Sequence, residues 1–220
     1  MSLRLMYADE LAGFARSRVM LVLWVGMPVL ALLLHALQPN LEGQMSLTVF
    51  AMLVVSTMAS TIAAAMLSVG IIHERTRGVY SLFLVRPVRR RSILLGKFFA
   101  VFSCVAVASI LTLVVGFLFD SLRGAAPGTA VLRELAKSAA TGFATIAIAS
   151  SAATLIGVLA PSVVVGVILV IYGANQLSVL GYVPVLANLQ PAWAYALAIG
   201  GVLTIALLAL SIALFNRRQL

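Results

Sequence analysis

The chain has 220 residues, 63% of them hydrophobic and 10% charged, with a formal net charge of +9. A mean hydropathy of +1.14 excludes an ordinary soluble domain, which is about half apolar, and points to an integral membrane protein. On such a chain basic charge marks loops held against anionic lipid, so the positive balance is no argument for nucleic acid.

Residues 1–18 lack the apolar core and small-residue cleavage site of a signal peptide, so Met1 is expected to begin the mature chain. Leu3, Met6, Tyr7, Leu11 and Phe14 fall near one helical face, and Arg4, Asp9, Glu10 and Arg16 tend to the other. This pattern predicts an amphipathic helix in the membrane interface; the alternative is a solvated tail.

A span needs about 20 apolar residues. Reading between charges and helix breakers gives six, at 19–37, 45–72, 98–119, 138–160, 162–180 and 193–215. The second would extend about 42 Å as a helix and should tilt or project. Between the second and third spans lies 73–97, with seven of the fifteen Lys and Arg residues. Cys104, the single cysteine, sits in an apolar run and reads as a small buried hydrophobe. The loop 120–137 carries Gly124, Pro127 and Gly128. In the fourth span Ala140, Ala144, Ala147 and Ser151 recur at helical spacing, which suits close packing between helices. Residues 138–216 hold no charged side chain, so only Pro161 and the segment 181–192 divide the last three spans.

Placing the N-terminus inside puts twelve basic residues on that side and leaves Arg123, Arg133 and Lys137 outside. The bias predicts that both termini are cytoplasmic. Tyr182, Trp193 and Tyr195 then fall near the outer interface.

The chain carries no GxxxxGK[ST], HExxH or GxSxG motif, and the single cysteine and two distant histidines offer no metal site. No enzyme chemistry is expected of it. No acidic residue lies mid-span, which argues against an ion-coupled carrier. Asn175 and Gln176, expected late in the fifth span near the outer leaflet, and Asn188 and Gln190 in the connection after it are the polar groups of the apolar half. They are candidates for a substrate path, or amides bonded between helices.

The hinge 73–97 is the most specific stretch. It reads Glu74-Arg75-Thr76-Arg77-Gly78-Val79, then Leu82, Arg86-Pro87-Val88, Arg90, Ile93 and Gly96-Lys97. In order, spacing and location it resembles the ABC-2 type permeases, the membrane subunits of many bacterial exporters. Val79 and Arg86 depart from the usual residues. The resemblance implies an all-α integral membrane fold over 1–220 as a single domain, with six spans, an N-terminal interfacial helix and a short re-entrant element between spans five and six. It implies that the hinge is a coupling helix, with Glu74, Arg75, Arg77, Gly78, Leu82 and Pro87 contacting a cytoplasmic ATPase subunit of the ATP-binding-cassette class. ATP and Mg would bind that partner, with no cofactor in this chain. A second permease copy or a paralogue would complete a dimer in the bacterial cytoplasmic membrane. An exporter of hydrophobic or amphipathic cargo is the leading reading. A non-transporting membrane scaffold and a subunit like the haem-exporter B protein of cytochrome c maturation are the alternatives.

Overall fold

In a computed structural model of the chain, residues 3–37, 47–77, 90–124 and 127–217 are described. They are almost wholly helical. In chain order come α1 (Leu3–Arg16), α2 (Val19–Ala36), α3 (Leu47–Thr76), α4 (Arg90–Leu122), α5 (Thr129–Leu159) and α6 (Val163–Leu169). A π-helical turn over Val170–Ala174 leads into α7 (Asn175–Ser178), and a 3₁₀ turn over Val179–Tyr182 into α8 (Val183–Leu186), before the long α9 (Ala192–Arg217). Six segments are long and apolar enough to cross a membrane: α2, α3, α4, α5, the run from α6 to α8, and α9.

The break at Pro161 is real. α5 ends at Leu159, Ala160 turns to extended backbone, and Ser162 caps α6 by accepting from the Val165 amide at 3.4 Å. Proline lacks the amide that would continue the ladder, and the residue before it avoids the helical region.

α5 is the central helix, packed along both α3 and α9. Its small residues make this possible. Ala144 and Ser151 are buried, and Ala140 and Ala147 are half-buried. At the α9 crossing a methyl added to Gly200 would lie 2.8 Å from the Ala144 Cβ, so a larger side chain at either position would force the helices apart. Cys104 is buried in the core as expected.

Met6, Ile71, Ile93, Leu94, Val158 and Phe215 pack together, which sets the starts of α1 and α4 and the ends of α3, α5 and α9 at one pole. We call this pole basal and the opposite one distal. At the distal pole Asp120, at the end of α4, reaches the first turn of α3. Its carboxylate accepts from the Leu47 amide at 3.0 Å, the Thr48 amide at 2.8 Å and the Thr48 hydroxyl at 2.5 Å. A helix start has orphan amides and a positive dipole end, and a carboxylate satisfies both. Asp120→Ala is expected to cost about 2–3 kcal/mol, because the buried amides lose a charged acceptor. Thermal unfolding in detergent measures it; an unchanged midpoint would show that the cap contributes nothing.

Candidate functional site

The charged residues of the basal pole form a knot. Lys97, about two turns into α4, is buried, and its ammonium lies 2.6 Å from Glu10 Oε1 on α1 and 2.5 Å from Glu74 Oε1 near the end of α3. One cation thus ties three helices. The remaining Glu74 oxygen, Oε2, is buried without a hydrogen-bond partner. Burial pushes the Glu10 carboxyl above its ordinary range, with Lys97 pulling it down and Glu74 and Asp9 adding to the rise.

Two further contacts seat α1. A methyl on Gly96 would meet the Met6 Cβ at 3.0 Å, so the missing side chain lets α1 lie close on α4. Tyr7 donates its hydroxyl to the Ser103 hydroxyl at 3.1 Å. The sequence pattern placed Glu10 with Asp9 on the polar face; the structure turns it inward, in the same i, i+4 row as Met6 and Phe14. That spacing was the available signal.

Arg75 faces the other way. Its guanidinium donates to the carbonyls of Val158, at 2.6 Å, and Ala160, with a longer contact to Gly157 at 3.5 Å. These are the last carbonyls of α5, which lack intrahelical partners. Glu74 and Arg75 therefore have partners within the chain, whereas Arg77 is exposed. Gly78, Leu82 and Pro87, together with Arg86 and Arg89, lie outside the described residues. The chain leaves this segment at Arg77 and re-enters at α4, and the Glu74–Lys97 pair joins the two roots.

Of the four amides, only Asn175 takes part in a bond between spans. Thr61 on α3 donates to its Oδ1 at 3.3 Å. Thr61 is midway along α3, so Asn175 lies deeper than the outer-leaflet level expected from the sequence. The reason is that the apolar helical run continues past residue 180 to Leu186, which puts Asn175 near its middle. Gln176, the next residue, is exposed.

Asn188 and Gln190 are exposed at the distal pole, in the tight turn between α8 and α9, where Asn188 takes a left-handed φ of 50°. They line a cleft of about 410 Å³ together with Glu134, Lys137 and Trp193. The four amides thus belong to three places: Asn175 within the bundle, Gln176 on its exposed surface, and Asn188 with Gln190 at its distal mouth. Among the described residues no group of three or more His, Cys, Asp or Glu is arranged to hold a metal.

A family model described as "ABC-2 family transporter protein" matches residues 10–176. The match spans Glu10, the hinge and Asn175–Gln176, and ends before the α8–α9 turn. A comparison with curated proteins gives no match.

Proposed function

Because the chain belongs to the ABC-2 family of transporter membrane proteins, we propose that it is the permease half of an exporter driven by a separate ATP-binding-cassette subunit. It works as a dimer, with a second copy or a paralogue, in a bacterial cytoplasmic membrane. The basal pole is cytoplasmic, as the twelve-to-three basic bias requires. ATP and Mg bind the partner subunit.

The observation that supports this best is the knot at the roots of the hinge. A segment pushed by a partner transmits force only if its ends are fixed to the bundle. Here the ends are fixed to each other by Glu74 and Lys97, to α1 by Glu10, and to the α5–α6 break by Arg75. Arg77, Gly78, Leu82 and Pro87 form the contact surface, and Glu74 and Arg75 carry its movement inward. Rigid-body motion of the hinge then shifts α3 and α4 against α5 and switches access. Asn175, with the exposed Gln176 beside it, lies on the path, and Asn188 and Gln190 line its distal mouth.

Two measurements test the proposal. Cysteines at Arg90 and Gly128, introduced after Cys104 is replaced, should react only from the cytoplasmic and only from the outer side, respectively. The permease should co-purify with an ATP-binding-cassette subunit encoded beside it and give vanadate-sensitive ATP hydrolysis. Outer labelling at position 90, or transport that persists in ATP-depleted vesicles, would sink the reading.

A further inference from the structure

The distal cleft continues into a second chamber. The mouth of about 410 Å³ and a neighbouring chamber of about 450 Å³ share Glu134, Ser138, Thr141 and Val185, so the two form one groove between α3, α5 and α8. Each volume is of the size that holds a small ligand. The two ends differ in chemistry. The mouth carries Glu134, Lys137, Asn188, Gln190 and the half-open face of Trp193. The inner chamber is walled by Met52, Leu53, Val131 and Leu135. Three of its hydroxyls are spent on their own helices: Ser56 donates to the Met52 carbonyl at 2.8 Å, Thr57 to Leu53 at 3.0 Å and Thr141 to Lys137 at 3.2 Å. Beside Ser138, Tyr182 and Glu134, what remains for a guest there is mainly apolar.

We propose that this groove binds a zwitterionic lipid amphiphile, its head at the mouth and an acyl chain in the inner chamber. The charge pattern selects the head. Glu134 and Lys137 stand 2.6 Å apart, exposed, and cancel at a distance. A head of one sign gains little from such a pair, while a zwitterion presents one charge to each member. Trp193 adds a π face for a quaternary ammonium, and the two amides can donate to a phosphate. A water-soluble guest would leave the inner chamber unfilled. An uncharged apolar guest would leave the mouth's polar groups without partners. This assignment deepens the transport reading and rests on it only for the claim that the amphiphile is cargo.

The test is photolabelling of the full chain in nanodiscs without ATP, using lysophosphatidylcholine with a photoreactive group at its chain end. Label should concentrate on peptides containing Leu53, Val131 and Leu135. Ser138→Trp, a change at an exposed position between the two chambers, should reduce it at least fivefold. Lys137→Glu leaves two carboxylates at the mouth and should shift preference toward an alkyltrimethylammonium probe of the same length. Equal labelling by an uncharged glycerol monoester, label spread over the outward faces of α2 and α9, or no response to either substitution would overturn the site. Because ATP is absent, that result would leave the ATPase reading standing. Conversely, groove labelling without any ATPase partner would remove the cargo role and keep the site.

Discussion

Lys97→Met is expected to destabilise the protein by about 3–5 kcal/mol, the usual cost of removing one partner from a buried ion pair. The ammonium lost is the cation between Glu10 and Glu74, and both carboxylates are mostly shielded from solvent. A midpoint lower by roughly 10 °C in detergent is the readout. Glu10→Gln, which leaves a one-to-one Glu74–Lys97 pair, should be tolerated. The pH dependence has a definite sign. Burial raises the folded-state value of Glu10 above its ordinary 4.5, so the folded state binds a proton that the unfolded state releases. The resulting stability is fully present below 4.5 and is lost as pH rises through the raised value. The Lys97→Met penalty should therefore shrink as the solution is made acidic, and less so when Glu10 is also changed to Gln. A penalty that grows on acidification would contradict the knot.

Arg75→Ala is expected to reduce transport more than tenfold while the protein still inserts and assembles. The guanidinium holds the carbonyls of Val158 and Ala160, where α5 ends and the chain turns into α6. Its loss leaves those acceptors to water at a cost of about 1–3 kcal/mol, which is tolerable for the fold. The same loss removes the polar tie between the end of α3 and the α5–α6 turn, so that only apolar packing such as Ile71 on Val158 is left to pass on a motion starting at the hinge. Arg75→Lys should rescue only in part, because an ammonium cannot spread two donors over two carbonyls. Arg77→Ala, at an exposed position, should leave stability unchanged and act only through the partner subunit. If Arg75→Ala hydrolyses ATP and transports at wild-type rates, force does not pass through this contact.

The six spans and the Pro161 break were legible because hydropathy and proline act locally. The family resemblance was legible for a similar reason, since the hinge motif is contiguous in sequence. The knot was not. Glu10, Glu74 and Lys97 are separated by up to 87 residues, and nothing in a one-dimensional pattern says which of several charges at a membrane boundary turns inward. The convention that charges on an amphipathic helix face water concealed Glu10, although its spacing from Met6 and Phe14 placed it on the apolar stripe. Nothing in the sequence singles out Asp120, whose role as a cap for α3 needed the crossing of two helices. The depth of Asn175 was missed because the fifth span was ended at 180, whereas the apolar helical run continues to Leu186.

The distribution of these polar ties along the chain bears on how the protein is made. The Glu10–Lys97–Glu74 knot and the Asp120 cap all lie within the first 120 residues, and they join α1, α3 and α4 at both poles. A nascent chain can therefore close this half before α5 has left the ribosome. The later spans carry no charge from 138 to 216 and enter the bilayer on hydropathy alone. α5 then docks on a prepared surface through small residues, which ask only for shape. Errors of synthesis in the first half should thus abort assembly early, whereas errors confined to the little-buried α9 should yield a stable, inserted chain whose last helix is loose.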